Sequence, residues 1–437
     1  MKTIILVCHY FPPQENVGVR RVLFWANYFS NLGYEVTVVT TKKLDSGDIS
    51  EFVNIDVTIV EFGILKDSVR LVKDFKGNNN KSDKSAKAKN LGLLSEKLRL
   101  FKQKCVNPIF GQLIDNRLPA SIMFSLRVMF GIGDASKYLR KFINSNVVVI
   151  STAPPWPVHI VGMVISKKIR AKRIVDYRDP FSGNHIFSSK LKAVDCFIDN
   201  RICSRADIIS TVSPSWAEYY SDFNENTVLL RNGFDNNYAN LDKESPVENY
   251  LINNTQERPI KISYFGSIEV EARVPCALLK AISGRADLEM HFYGNCPCVE
   301  KYLINTLGEV PKNIFLNGFV PYSKSLEKMK DSDINVVSES FGNSPSHRGL
   351  IPTKIYEYLS VLKPIIVIAG EFSDMHEVCK NSGLLYYSVT QSDFDYSTIL
   401  SSEYMKSYKY IPNIDEIISY SRQDVAKKLI SIIDDFE

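Results

Sequence analysis

The sequence predicts an α/β protein with two domains, each built around a parallel β-sheet. Three observations lead to this prediction: the length of 437 residues, the alternation of short apolar strands with helical segments, and the restart of that alternation near residue 260. At ~100–200 residues per domain, the length accommodates two or three domains. Apolar residues make up 45% and charged residues 23% of the chain, as is ordinary for a globular protein.

The first forty residues read as strand, loop, helix and strand. Residues 4–7 are a short β-branched run, residues 20–31 have the apolar spacing of a helix, and residues 34–40 form the next strand. A loop over residues 9–18 separates the first strand from the helix. Two strands joined by a helix form a βαβ unit, which requires parallel pairing. Further strands are predicted at residues 57–62, 146–151, 174–177, 208–212 and 227–230.

The same alternation begins again after a polar stretch without clear periodicity. Strands are predicted at residues 260–265, 288–293, 314–316, 334–337 and 364–368. We therefore predict a Rossmann-like domain over 1–240, a linker over 241–259, a second Rossmann-like domain over 260–420, and a terminal helix over 421–437 that could cross back to the first domain.

The positive charge of the chain is concentrated in one segment. The net charge is +4, but residues 66–104 carry twelve Lys and Arg against four Asp and Glu. The centre of this basic insertion is polar and of low complexity, and residues 93–106 read as an amphipathic helix. Two interpretations stay open: a helix on an anionic membrane surface, or a helix on its own domain with a solvated basic face. Because few aromatic residues are interleaved with the charges, we expect no nucleic-acid partner.

The cysteines and the first residues of the chain indicate whether a metal site is expected and in which cellular compartment the protein works. The eight cysteines are scattered, and only Cys296 and Cys298 lie close together, so no zinc site is expected. The apolar run at the start is too short for a secretory signal and reads as a buried strand. No stretch of about 18 apolar residues is present. These features favour a reduced, cytoplasmic setting.

Short polar or glycine-containing motifs follow the predicted strands in a fixed order. They are HYFPP at 9–13 with Gly18 and Arg20, STAPP at 151–155, DYRDP at 176–180, RNGFD at 231–235, YFGS at 264–267, FYG at 292–294 and PTKIYEYL at 352–359. This ordered set resembles the retaining glycosyltransferases of family 4, which have the GT-B fold. The resemblance implies two Rossmann-like domains facing a cleft, a nucleoside-diphosphate sugar as donor, and no metal or other cofactor.

The resemblance also implies where the donor binds. Negative charge builds on the leaving diphosphate, and fixed cations with backbone N–H groups stabilise it. Arg273 and Lys354 are the candidate catalytic cations, although this chain reads SIEVEAR where relatives often carry both an Arg and a Lys. The alternatives are an exposed arginine at a helix start and a solvated helix lysine. Further donor-binding candidates are Gly18, which could equally be an ordinary turn glycine, Gly266, Ser267 and Tyr293.

Glu357 is implied as the residue that contacts the ribose of the nucleotide. Many family members carry two glutamates eight positions apart, and Glu357 matches the second. A carboxylate suits two vicinal hydroxyls because it accepts a hydrogen bond from each. The first glutamate is replaced by Gly349, so its contact with the donor sugar is either missing or made by a backbone group of Gly349, Leu350 or Ile351. The alternative for Glu357 is an ordinary helix residue that faces solvent.

Polar residues at the strand ends of the first domain are candidates for the acceptor side. Asp179 could orient or deprotonate the acceptor hydroxyl, or it could cap the turn before Pro180. The other acceptor-side candidates are His9, Arg20, Arg178 and His185.

The resulting functional prediction is transfer of a sugar from a nucleoside-diphosphate sugar to a hydroxyl acceptor, with retention. The basic insertion favours a lipid-linked or surface-polysaccharide precursor, such as one for capsule or lipopolysaccharide, at the inner face of the cell membrane. Two alternatives stay open: a non-catalytic scaffold subunit that binds nucleotide sugars, and a nucleotide-sugar 2-epimerase, which would need more carboxylates and histidines in the cleft.

Overall fold

The structure is a computed structural model, and it describes most of the chain. The described residues are 2–13, 17–41, 49, 51–62, 68–72, 126, 130–131, 133–184, 192–235, 249–251 and 258–436. The basic insertion therefore lies outside the described residues except for positions 68–72, and the helix predicted at 93–106 lies wholly outside them.

The first sheet has eight strands in the order β4-β3-β2-β1-β5-β6-β7-β8. Every neighbouring pair is parallel except β3 and β4, which are antiparallel. The strands are β1 (Thr3–Val7), β2 (Glu35–Thr41), β3 (Thr58–Phe62), β4 (Ser68–Leu71), β5 (Val147–Ala153), β6 (Lys172–Tyr177), β7 (Ile208–Thr211) and β8 (Thr227–Leu229). Helices on both faces keep β1 fully buried, which explains its continuous apolar run.

The helices associated with the first sheet are α1 (Val17–Asn31), α2 (Gly133–Arg140), α3 (Pro157–Ile169), α4 (Lys192–Cys203) and α5 (Pro214–Ser221). The apolar side chains of α3 pack on the sheet, with Val161 and Ile165 in the same core as Val7 and Val149. A Cβ added at Gly162 would lie 2.8 Å from Cβ of Ser151, so α3 can approach β5 this closely only with glycine there.

The second sheet has six parallel strands in the order β12-β11-β10-β13-β14-β15. They are β10 (Ile260–Phe265), β11 (Leu288–Tyr293), β12 (Ile314–Leu316), β13 (Ile334–Ser338), β14 (Ile365–Ile368) and β15 (Leu385–Val389), and the short strands β9 (Asn249–Tyr250) and β16 (Lys409–Tyr410) pair apart from them. The helices are α6 (Cys276–Ile282), α7 (Pro297–Leu307), α8 (Tyr322–Lys330), α9 (Pro345–Arg348), α10 (Thr353–Ser360), α11 (Asp374–Asn381), α12 (Ser402–Ser407), α13 (Ile414–Ser419) and α14 (Arg422–Asp434).

Two apolar cores cover the two faces of the second sheet. Successive residues of β13 contribute to different cores, Val336 to one and Val337 to the other, as the alternation of side chains along a strand requires. The strand β14 contributes to both cores in the same alternating way and is accordingly a continuous apolar run. The prediction of two α/β domains with parallel sheets is confirmed.

The chain divides into two compact units. The first contains residues 1–212, 216–230 and 426–437, and the second contains residues 213–215 and 231–425. The end of α14 thus groups with the first unit, where the Nζ of Lys2 donates a hydrogen bond to the carbonyl of Ile433 at 2.9 Å. Across the described part of the chain, no helix is both long enough and apolar enough to span a bilayer.

Candidate functional site

In the second unit, Lys354 lies in the first turn of α10 beside the loop that follows β10. Its Nζ lies 3.8 Å from the centre of the Tyr264 ring, a cation–π contact. A Cβ added at Gly266 would lie 3.6 Å from the same Nζ. Lys354 is half-buried rather than solvated, and its ammonium group faces the carboxyl end of β10.

Arg273 is held by two consecutive residues at the end of β13. It lies in a short 3-10 helix, Glu271–Arg273, that follows β10. Its Nε forms an ion pair with Oε2 of Glu339 at 2.7 Å, and its carbonyl accepts a hydrogen bond of 2.8 Å from Oγ of Ser338. Arg273 is therefore fixed at both its backbone and its side chain, and it is not the free surface arginine that the alternative interpretation describes.

Glu339 is a functional candidate that the sequence analysis missed. Its side chain is only 7% exposed, although it is charged and follows directly after a strand. The strand was predicted over residues 334–337 with Ser338 following it, and Glu339 was not singled out. A carboxylate directly after a buried parallel strand is the signal that could have found it.

The charges of Arg273, Lys354 and Glu339 influence one another. Burial lowers the pKa of the Lys354 ammonium to about 8; Glu339 acts in the opposite direction and Arg273 lowers it further. Burial raises the pKa of Glu339, and both cations oppose that rise. The cluster therefore contains two cations and one carboxylate, and it retains a positive charge while Lys354 is protonated.

Glu357 lies on α10 three residues after Lys354, so the two side chains share one face of the helix. The residue is 8% exposed, so the alternative of a solvent-facing glutamate is wrong. Its charge helps to keep Lys354 protonated. Arg273 and Glu357 thus both act electrostatically on Lys354.

The glycine turns after β10 and β11 lie in close backbone contact and share a hydrogen bond. Gly266 has a φ of +111° and its N–H donates to the carbonyl of Tyr293 at 2.8 Å. Gly294 has a φ of +146°, and a Cβ there would lie 2.3 Å from the carbonyl oxygen of Gly266. Ser267 is exposed next to this turn, whereas the Tyr293 ring is 7% exposed and stacks on Phe265 with their centroids 4.8 Å apart.

Gly349, which stands at the position of the first glutamate, lies in a tight turn directly after α9. The N–H of Gly349 donates to the carbonyl of Pro345 at 3.0 Å, and the N–H of Leu350 donates to that of His347 at 3.3 Å. The side chain of Ile351 belongs to the core. Of the backbone groups predicted to contact the donor sugar, the N–H groups of Gly349 and Leu350 are thus used within the turn.

In the first unit, the structure corrects the position of Gly18. The sequence analysis put Gly18 in a loop, but α1 begins at Val17, so Gly18 and Arg20 both lie in the helix. The assignment failed because glycine was read as a loop signal, whereas the first turn of a helix tolerates it. The carbonyl of Gly18 accepts a hydrogen bond of 2.7 Å from Nη1 of Arg178.

Arg178 binds the backbone of its own unit. Besides Gly18, it donates to the carbonyls of Ala153 at 3.0 Å and Pro154 at 3.2 Å. Its guanidinium therefore ties the end of β5 to the start of α1. Burial raises the pKa of the neighbouring Asp179 to about 6, with Arg178 opposing the rise.

Of the two remaining acceptor-side candidates, the structure describes His9 but not His185. His9 follows β1, is half-buried, and packs edge-on against Tyr10 with ring centroids 5.1 Å apart. His185 lies outside the described residues.

A buried acid, Asp199, supports the loop that carries Asp179. Its carboxylate accepts hydrogen bonds from the hydroxyls of Tyr177 at 2.5 Å and Ser182 at 2.6 Å, and from the N–H of Ser182 at 3.0 Å. Because Tyr177 and Ser182 lie on either side of Asp179, this acid fixes both ends of the loop. The sequence analysis did not single out Asp199.

Within the residues that the structure describes, no three His, Cys, Asp or Glu side chains are grouped closely enough to hold a metal ion.

Comparison with known proteins identifies the fold but assigns no sequence family. No protein-family model matches the sequence, and no curated protein matches it. Solved structures match over almost the whole chain. Anabaena HepE, solved with UDP and glucose, has a TM-score of 0.60 at 12% identity, covering 99% of this chain and 100% of that protein.

Two further structures are similar over comparable lengths. A glycosyltransferase from Rickettsia africae has a TM-score of 0.56 at 14% identity, covering 99% of this chain and 98% of that one. The lipopolysaccharide outer core galactosyltransferase WaaB has a TM-score of 0.57 at 10% identity, with both chains covered completely. The fold of the present chain is GT-B.

Proposed function

We propose that this chain, which has the GT-B fold, is a glycosyltransferase that moves a sugar from a nucleoside-diphosphate sugar to a hydroxyl acceptor. We further propose that it belongs with the retaining enzymes of family 4, which its ordered motifs resemble. We assign the donor to the second unit and the acceptor to the first.

The observation that carries this proposal is the pairing of two cations at the carboxyl edge of the second sheet. Ligands of open α/β sheets bind at that edge. Arg273 lies in the segment that follows β10 and its charge acts on Lys354, whose Nζ lies beside the glycine turn at Gly266. Fixed positive charges at this position suit a diphosphate that gains negative charge as the glycosidic bond breaks.

We propose the remaining donor contacts for residues that lie near Lys354 in the sequence or in the structure. We propose that Glu357 accepts hydrogen bonds from the ribose hydroxyls, and that Ser267 and the turn at Gly266 contact the diphosphate. Because the N–H groups of Gly349 and Leu350 are engaged within their turn, we propose that carbonyl oxygens of this segment accept hydrogen bonds from the sugar hydroxyls.

For the acceptor we propose Asp179 as the group that orients or deprotonates the attacking hydroxyl. A carboxyl with a pKa of about 6 is ionised at neutral pH and is a stronger base than an ordinary aspartate. Under retention, the leaving diphosphate assists the deprotonation on the same face of the sugar. His9, Arg20 and His185 are proposed to line the acceptor side, and Arg178 to hold the backbone that carries Asp179.

The acceptor class is proposed from charge alone. The basic insertion over residues 66–104 would favour an anionic membrane surface, and hence a lipid-linked saccharide precursor of a surface polysaccharide.

A thermal-shift screen tests the donor assignment. UDP, GDP, dTDP and CMP, and their sugars, are added to the full chain in EDTA, and the melting temperature is recorded. A ligand that binds only the native state at ~100 times its Kd adds ~2.7 kcal/mol to stability. We expect one base to raise the melting temperature without metal. If no nucleotide raises it, the donor assignment is wrong.

Ribose recognition gives a sharper test of Glu357. If UDP is the nucleotide selected, we expect wild-type protein to bind it ~10–100 times more tightly than 2′-deoxy-UDP, as expected for a hydrogen bond to a charged group. Glu357→Ala should bind both with the same reduced affinity. Glu300→Ala, at an exposed helix position of the same unit, is the control and should retain the discrimination. A Glu357→Ala protein that still discriminates would contradict the assignment.

A non-catalytic scaffold subunit is the second candidate. The replacement of the first glutamate by Gly349 favours it, because a donor contact made by relatives is changed. Both candidates bind the nucleotide, but only the enzyme releases nucleoside diphosphate from the sugar donor. Slow hydrolysis of the donor by wild-type protein, abolished in Lys354→Ala, would identify the enzyme.

A further inference from the structure

We propose that Glu339 is a positioning residue that holds Arg273 and Lys354 together for the donor diphosphate. This inference rests on the proposed function, because it assigns a role in the same binding site. Glu339 is not required to touch the donor.

The geometry places Glu339 where it can act on the cations. Its carboxylate forms the 2.7 Å ion pair with Nε of Arg273, while the preceding residue, Ser338, binds the backbone of the same arginine. Both contacts come from the end of β13, which lies beside β10 in the centre of the sheet. The sheet thus fixes the arginine relative to the glycine turn after β10.

The burial of Glu339 needs an explanation, because even a paired carboxylate loses solvation that the attraction to its partner need not offset. A purely structural contact could be made by an apolar side chain without that cost. Two cations near each other repel, however, and the repulsion is strong where water is partly excluded. A carboxylate that pairs with Arg273 and also acts on Lys354 lets both stay charged before the diphosphate arrives.

The groups that act on Lys354 make the effect of Glu339 measurable. Burial and Arg273 lower the pKa of Lys354, whereas Glu339, Cys296 and Glu357 raise it. The face of the Tyr264 ring also lies against the ammonium group. Replacing Glu339 by a neutral residue removes an opposing charge, so the pKa of Lys354 must fall below about 8 and the ammonium is lost at a lower pH.

The test is UDP binding by Glu339→Gln and wild-type protein, measured by calorimetry from pH 6 to pH 9. We expect wild-type affinity to decrease above about pH 8, and the decrease in Glu339→Gln to begin about one pH unit lower, a tenfold change in the protonation equilibrium. At pH 6, where Lys354 is charged in both proteins, we expect their affinities to agree within about threefold. UDP itself titrates identically in both experiments, so its contribution cancels in the comparison.

Asp333→Asn is the matched control. Asp333 is a buried acid at the opposite end of β13, where it pairs with Arg258 at 2.7 Å. Each substitution breaks an ion pair of an acid that flanks β13, and both should lower the melting temperature. Only Glu339→Gln should displace the pH dependence of UDP binding.

The outcomes separate this inference from the proposed function. Wild-type protein that binds neither UDP nor another nucleotide contradicts the function itself. Wild-type binding with parallel pH profiles for the wild type and Glu339→Gln overturns the role of Glu339 alone.

Should Glu339→Gln fail to fold, Glu339→Asp keeps the charge but shortens the reach to Arg273. Because the negative charge stays, its pH profile of UDP binding should follow that of the wild type, and a profile displaced to lower pH as in Glu339→Gln would overturn the role.

Discussion

Asp179 illustrates how burial prepares a single residue for chemistry. Its carboxyl follows β6 and is half-buried, and its pKa is raised to about 6 from an ordinary value of 3.8 because the ionised form loses solvation. Arg178 moderates the rise while its guanidinium is held by backbone carbonyls. The result is a carboxylate that is ionised at neutral pH yet still a useful proton acceptor.

Replacement of Asp179 by Asn should therefore separate stability from activity. A folded pKa above the unfolded value means that ionisation is more costly in the folded chain, so stability is lost as the pH rises from about 4 to about 6. We expect Asp179→Asn to raise the free energy of unfolding by about 1–2 kcal/mol at pH 7.5, and not at pH 4. Transfer activity should fall ~100-fold or more.

The measurement is denaturant unfolding at both pH values, together with an assay of donor turnover. Asp134→Asn, at an exposed aspartate, serves as the control and should change neither quantity. A variant that is less stable at pH 7.5 would instead support the alternative in which Asp179 caps the turn before Pro180.

Among the elements, the strands were predicted far better than the residues that join them. The bounds predicted for β10 and β11 agree with the structure at both ends. Both strands are buried at most of their positions and are therefore rich in apolar residues, and such stretches are conspicuous in a sequence. The strand β4 was missed because Ser68–Leu71 lies in the charged insertion and pairs antiparallel at an edge. The strand β15 was also missed; two of its five residues, Tyr386 and Val389, are buried.

A buried ion pair joins several elements of the first unit. Nε and Nη2 of Arg21 on α1 bind the carboxylate of Asp176 at 3.1 and 2.8 Å. The hydroxyls of Thr152 on β5 and Ser210 on β7 donate to the same carboxylate at 2.7 and 2.8 Å. The Asp176 carboxylate thus accepts hydrogen bonds from side chains of three elements, which come together only when the chain folds.

Asp176→Asn should be strongly destabilising, because it removes the negative charge from a buried carboxylate that binds the Arg21 guanidinium and two hydroxyl groups. The expected loss is about 3–5 kcal/mol in the free energy of unfolding, measured with urea. The control is Glu35→Gln, which removes the exposed pair between Glu35 and Lys141 and should cost no more than about 1 kcal/mol. Similar losses in the two variants would contradict a structural role for the buried network.

At the scale of the whole molecule, the chain forms two compact units, each with its own parallel sheet. The units are not continuous in sequence, since residues 426–437 belong to the first. The basic insertion interrupts the first unit between β3 and α2, and most of it lies outside the described residues. Its function is therefore predicted from its charge.

Deletion of residues 81–104 tests that prediction. We expect the shortened chain to sediment less with anionic vesicles, because each Lys or Arg near such a surface contributes about 1 kcal/mol. Its melting temperature should stay close to that of the full chain. Zwitterionic vesicles are the control, and neither protein should bind them strongly. Unchanged sedimentation with anionic vesicles would refute the membrane role.

The sequence by itself determined the fold class, the positions of most strands, the glycine turns after β10 and β11, and the candidate cations. These features are local: an apolar run, a glycine or a motif can be recognised from its neighbours in the chain. It also indicated Glu357, through a resemblance in a short helical motif.

Only the tertiary structure decided which charged side chains form ion pairs with each other. Glu339 became a candidate because the sheet places β13 beside β10, so that a carboxylate reaches Arg273 across many residues of sequence. Arg21 and Asp176 are 155 positions apart, and nothing local to either indicates the other. Long-range pairing depends on strand order and crossover connections, which the energy of the whole core selects and which no short segment encodes.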